Sequence, residues 1–185
     1  MKFFFLKVVF LTFLYTIPTY AGDQDTMIDD FTKNSDKRWE FFTDQVMGGV
    51  SEGTASILSD NNGSYVRLEG SVSTANNGGF IQFRRKILDR FDSNYKGIQI
   101  EVRGNNQEYF IHIRTIGTIL PWQYYQAPFI AYDKWETQDI KLIEFKRSGI
   151  MLAKKINPKN IKSIAIVAYG KEHEAFIDVN NIIIY

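Results

Sequence analysis

From Trp39 onward, apolar residues recur at every second position in short runs separated by turn residues. The stretch from Tyr65 to Ser73 is the clearest case. Val66, Leu68 and Val72 fall on one side, and Arg67, Glu69 and Ser71 on the other. A period of two is the signature of a half-buried strand. The turns carry equally plain signals: Asp60-Asn61-Asn62-Gly63 and Asn76-Asn77-Gly78-Gly79 both contain the Asn-Gly pair of a hairpin. Further strands are predicted from Phe80 to Arg84, Ile98 to Arg103, Tyr109 to Arg114, Tyr124 to Ala131, Trp135 to Leu142, Ile161 to Ala168 and Phe176 to Ile184. Pro128 lacks a backbone donor, so its strand is expected at a sheet edge or bulged there. Residues 143–160 are the least regular part, with room for one helical turn. About nine or ten strands with no convincing amphipathic helix argue for an all-β fold, a β-sandwich or jelly roll.

The alternation does not reach the beginning of the chain. Residues 1–21 read as a secretory signal peptide: Lys2 and Lys7, an apolar run, Pro18, then small residues at the cleavage positions. The run is shorter than the ~20 residues that span a bilayer, so no membrane span is expected after cleavage. A mitochondrial leader should be rich in Arg and Ser, and this one has neither. The expected location is therefore secreted or periplasmic. Residues 22–38 are polar and read as a loosely held lead-in, with Ile28 and Phe31 able to dock. Residues 39–185 form the single domain, and Ile182-Ile183-Ile184-Tyr185 is expected to pair within a sheet.

Cleavage would leave 164 of 185 residues, enough for one buried core, and a net charge near −1. That balance argues against nucleic acid, which calls for a basic excess. The absence of cysteine excludes thiol catalysis and thiolate metal sites.

One stretch gathers several residues with special backbone needs: Asp44-Gln45-Val46-Met47-Gly48-Gly49-Val50-Ser51-Glu52-Gly53. It reads as a tight connection between two early strands. Its end matches G-x-S-x-G, the nucleophile elbow, but that motif needs a helix after the serine, and a β-like run follows here. No enzyme activity is expected. His112 and His173 lack metal-ligand spacing. His112 reads as part of a solvated strand face with Phe110 and Arg114, and His173 as a turn residue. Asp60-Asn61-Asn62-Gly63 lacks the distal Glu of a calcium loop. No cofactor is called for, with a structural Ca2+ elsewhere left open. Asn62-Gly63-Ser64 is a glycosylation sequon. Trp122, Tyr124 and Tyr125 gather in one corner, where flat rings suit a sugar or a protein partner's anchors.

These pieces also resemble a family. Trp39 with Asp44 to Gly53 is similar to the signature of the complex I intermediate-associated protein 30 family. Gly78-Gly79-Phe80 with Phe83-Arg84, Tyr95-Lys96-Gly97-Ile98 with Val102-Arg103-Gly104 and Tyr109, Tyr125-Gln126-Ala127-Pro128-Phe129 with Trp135, and Phe176 to Ile182 follow in the family's order. The resemblance covers roughly residues 28–185. It implies a galactose-binding-like β-sandwich and a non-catalytic, assembly-factor or chaperone-like role with a protein partner. Mitochondrial members hold membrane-arm intermediates of respiratory complex I, and the secretory leader sets this chain apart from them. The residues expected to form or frame the binding surface are Asp44, Met47, Gly48, Gly49, Ser51, Arg84, Arg114, Trp122, Tyr125 and Gln126. The alternative is a carbohydrate-binding module of the periplasm or extracellular space.

Overall fold

The computed structural model describes residues 25–32, 34–61 and 63–185. The expected signal peptide and the sequon's Asn62 lie outside the described residues. Twelve strands and one short helix are present among them: β1 (Thr26–Asp29), α1 (Ser35–Arg38), β2 (Trp39–Thr43), β3 (Glu52–Asp60), β4 (Gly63–Val72), β5 (Phe80–Lys86), β6 (Gly97–Gly104), β7 (Gln107–Thr115), β8 (Tyr125–Ala131), β9 (Glu136–Lys141), β10 (Lys146–Arg147), β11 (Ile161–Tyr169) and β12 (His173–Ile184). All are paired antiparallel in two six-stranded sheets. The first sheet runs β3-β4-β12-β6-β9, with β1 beside the far half of β12. The second runs β10-β8-β7-β11-β5-β2.

The alternation read from the sequence decides which face of each strand is inside. Leu68, Ile100, Val102, Ile177 and Val179 of the first sheet meet Ile81, Phe83, Ile111, Ile113, Ile164 and Ile166 of the second, all fully or almost fully buried. Burying one such side chain stabilises the fold by roughly 1.5–3 kcal/mol. This is the all-β sandwich that the strand spacing predicts. Pro128 also obeys its chemistry. It pairs with Phe110 of β7, while β10 reaches only Gln126 and Tyr125, so β8 has a neighbour on one side there. The C-terminal residues are paired as expected: Ile184 with Ile98, and Tyr185 with Gly97 through N–H···O bonds.

The described part of the lead-in, residues 25–32 and 34–38, is not loosely held. β1 pairs with β12, and Asp29 is buried. Its carboxylate accepts from Phe31 N (2.9 Å), Ser35 Oγ (2.9 Å), Trp39 Nε1 (2.8 Å), Arg38 Nη2 (2.8 Å) and Arg85 Nη1 (2.5 Å). Burial pushes the Asp29 pKa up, but bonds from Arg38, Trp39, Phe31 and Ser35 outweigh it and bring it down to about 2. Phe31 packs on Trp39 and Phe83. Within the segment, the side chains of Ser35 and Arg38 supply donors to this buried carboxylate. Among the described residues, no helix is long and apolar enough to cross a membrane.

Candidate functional site

The eight-residue connection between β2 and β3, residues 44–51, is built around one carboxylate. Thr43 caps a 3-10 turn over Asp44–Met47, its Oγ1 accepting from Gln45 N (3.2 Å). The turn ends at Gly48, whose φ of 90° lies in the left-handed region that favours glycine. Asp44 is fully buried. Its Oδ1 accepts from Ser51 N (2.9 Å), and its Oδ2 from Ser51 Oγ (2.6 Å), Gly79 N (2.5 Å) and Phe80 N (3.3 Å). Burial raises the Asp44 pKa, and these bonds from Ser51, Gly79 and Phe80 more than reverse that, so the group stays ionised well below neutral pH. Gly49 and Gly78 close over the carboxylate, and a Cβ on either would collide with the Asp44 side chain. Ser73 N donates to Ser51 Oγ (2.9 Å), and Asn76 Nδ2 to Gly48 O (3.3 Å). The loop is thus locked to the β4–β5 connection.

Asp44, Gly48, Gly49 and Ser51 therefore hold the loop's shape. Ser51 is buried with its hydroxyl committed to Asp44, and β3 follows it, so the hydrolase-like match carries no nucleophile. What the scaffold leaves outside is apolar. Val46 and Met47 are 71% and 61% exposed, with Val50 beside them also exposed. Val46 and Val50 were not singled out by sequence reasoning. Their signal was two aliphatic residues inside a glycine-rich turn, where no core can take them.

Arg84, Arg114 and Gln126 lie on the outer face of the second sheet. Strand register places a row of side chains across it: Lys146, Gln126, His112, Ala165, Arg84 and Glu40. Arg84 pairs with Glu40 (3.2 Å), and its guanidinium lies 4.6 Å over the Phe42 ring. The Arg114 Nη2 donates to Leu120 O (2.9 Å). Tyr124 stacks on His112 with centroids 4.1 Å apart and planes 10° apart, and Tyr169 meets both rings edge-on. His112 is therefore covered, not solvated. Burial pushes its pKa down to about 4, with Gln126 acting in the opposite direction. Arg84 Nε, His112 Nε2 and Gln126 Oε1 are buried and find no partner among the described residues. The aromatic members of this face, Phe110, Tyr124 and Tyr169, need the β7–β11 register to be seen together.

The Trp122–Tyr125 corner does not hold together as one surface. Trp122 projects into solvent, Tyr124 lies over His112, and Tyr125 points into the core, where its hydroxyl donates to Ala153 O (3.1 Å). Nor does the corner face the β2–β3 loop. That loop follows Thr43, which pairs with Ile81, whereas Tyr125 pairs with Ile113 and Ser163 with Lys86. The two features stand at opposite ends of the second sheet. His173 is not a turn residue but the first of β12, set against Tyr109. Among the described residues, no group of three or more His, Asp or Glu is placed to hold a metal ion.

Residues 29–177 match the family described as complex I intermediate-associated protein 30. The chain belongs to the complex I intermediate-associated protein 30 family. No curated protein matches its sequence. Among solved structures, it is similar to the family 11 carbohydrate-binding module of the cellulosomal cellulase Lic26A-Cel5E of Clostridium thermocellum. That match has 18% identity and a TM-score of 0.72, covering 87% of this chain and 94% of the module. A structure of the family 11 module from the same organism, in complex with a β-1,3-1,4-mixed-linked tetrasaccharide, matches at 17% identity and a TM-score of 0.70, covering 86% and 94%. An exo-β-agarase matches at 10% identity and a TM-score of 0.59, over 86% of this chain and 25% of the enzyme. At these identities the likeness establishes the shared galactose-binding-like fold. Family and fold together support a binding domain over an enzyme.

Proposed function

We propose that this member of the complex I intermediate-associated protein 30 family is a non-catalytic domain that binds a protein partner, in an assembly-factor or chaperone-like role. The contact is the rim of the β2–β3 loop. One observation carries the reading: a buried carboxylate takes four hydrogen bonds to fix a loop whose tip presents Val46, Met47 and Val50 to solvent. Ordering the loop before binding removes part of the entropy cost of association. Methionine at its tip adapts to a partner's surface. The leader expected at residues 1–21 would place the partner in the periplasm or outside the cell. The test is affinity capture with wild type and a Val46→Asp/Met47→Asp variant, whose unfolding midpoint is measured alongside. The expected result is a folded variant that no longer retains the protein held by wild type. Equal retention would overturn the reading.

A second reading, carbohydrate binding, is supported by the outer face of the second sheet. There, aromatic rings lie beside Arg84, Gln126 and Arg114, and the similar family 11 module holds its tetrasaccharide in complex. A glycan array separates the two: sugar binding that is lost on Tyr124→Ala and unaffected by Val46→Asp/Met47→Asp would favour the second.

A further inference from the structure

At the opposite end of the sandwich, two connections stand together: residues 116–124 between β7 and β8, and residues 148–160 between β10 and β11. Ser148 ties them, its Oγ donating to Trp122 O (3.0 Å) and its N–H to Tyr124 O (2.9 Å). Ile116 N donates to Asn160 O (2.8 Å). Two guanidiniums set the curvature. Arg114 donates to Leu120 O, and Arg147 Nη1 donates to Ile150 O (2.8 Å) and Leu152 O (2.6 Å). With the backbone groups turned inward, the apolar side chains point out. Ile150 and Met151 are each 87% exposed, Ile119 83% and Trp122 64%. A soluble surface rarely spends four large apolar groups on two adjoining loop tips without a use for them.

The strands that carry these two connections are one-sided in charge. Tyr109 to Tyr132 and Phe145 to Gly170 contain no Asp or Glu and seven Lys or Arg, which leaves 15 basic against 21 acidic residues elsewhere in the chain. Lys154, Lys155 and Lys159 stand exposed just behind the apolar tips. The β5–β6 connection reaches the same end and brings Arg90 and Lys96 with Asp89 and Asp92, so it does not reverse the sign. Charge and shape together indicate the occupant. Protein interfaces are depleted in lysine and fit their anchors into pockets, whereas these apolar groups are convex tips set in a lysine field. Tryptophan, aliphatic tips and trailing lysines suit the boundary of a bilayer, where rings and alkyl groups sink below the headgroups and the ammonium groups meet lipid phosphates.

We propose that the tips carrying Ile119, Trp122, Ile150 and Met151, with the lysines behind them, dock this domain on an anionic lipid surface. The site is separate from the β2–β3 loop and independent of the partner proposed for it. The test is co-sedimentation of the protein with vesicles of mixed phosphatidylglycerol and phosphatidylcholine, against phosphatidylcholine alone. Binding is expected to the anionic vesicles only, and to weaken as salt approaches about 1 M, where charges are screened within about 3 Å. Ile150→Asp/Met151→Asp should reduce binding at least about tenfold. Each lysine reversed in Lys154→Glu/Lys155→Glu should cost about fivefold or more, the fold-change for about 1 kcal/mol per basic residue. Val46→Asp/Met47→Asp should bind as wild type does. No preference for anionic vesicles, or binding that survives both tip and lysine variants, would overturn the proposal, including the case in which the tips serve a protein instead.

Discussion

His112 shows how little the identity of a residue says about its state. It stands on an outward strand position, yet Tyr124 stacks flat on it and Tyr169 closes the edge, so the imidazole is buried and neutral. Its folded pKa of about 4 lies below the ordinary 6.5. The unfolded chain therefore takes up a proton first as pH falls. The stability His112 contributes is complete above pH 6.5 and is lost progressively down to about pH 4, to a limit of about 3 kcal/mol. Urea denaturation at pH 7 and pH 4.5 should show wild type losing more stability than His112→Gln across that window; equal losses would contradict the burial. Asp29 depends on pH in the same direction but over a lower range. Lowered to about 2, its contribution is present above the ordinary 3.8 and is lost only below it, so the two windows do not overlap.

The β2–β3 connection behaves as one element because its parts share an acceptor. Asp44→Asn keeps the size of the side chain but sets an amide N–H against donors from Ser51, Gly79 or Phe80. The cost is expected at about 2–4 kcal/mol, read as a lower urea midpoint with unchanged slope. A loss under about 0.5 kcal/mol would mean that the carboxylate does not hold the loop. Much of this element was legible beforehand. Three glycines within the ten residues from Asp44 to Gly53 announced a tight turn, and the alternating strands announced the sandwich. What the sequence concealed were partners distant along the chain. Gly79 lies thirty-five positions from Asp44, and Arg85 fifty-six from Asp29. That is why a polar segment expected to be loose proved to surround a buried carboxylate. Tyr125 was misjudged for a simpler reason. An aromatic next to two others reads as a cluster, but alternation sends Tyr124 and Tyr125 to opposite faces.

As a whole, the molecule carries exposed apolar tips at both ends, with a polar and aromatic sheet face between them. The β2–β3 tip carries Val46, Met47 and Val50 on a fixed scaffold, and the far end carries the lysine-backed tips. Protein contact through the first of these can be placed directly. A photoreactive residue installed singly at positions 47, 126 and 151, followed by irradiation in the native envelope or medium, reports which surface touches protein. A discrete protein adduct from position 47, absent from 126 and 151, is the outcome expected of a partner held at the β2–β3 rim. Adducts from 126 or 151 with none from 47 would contradict it.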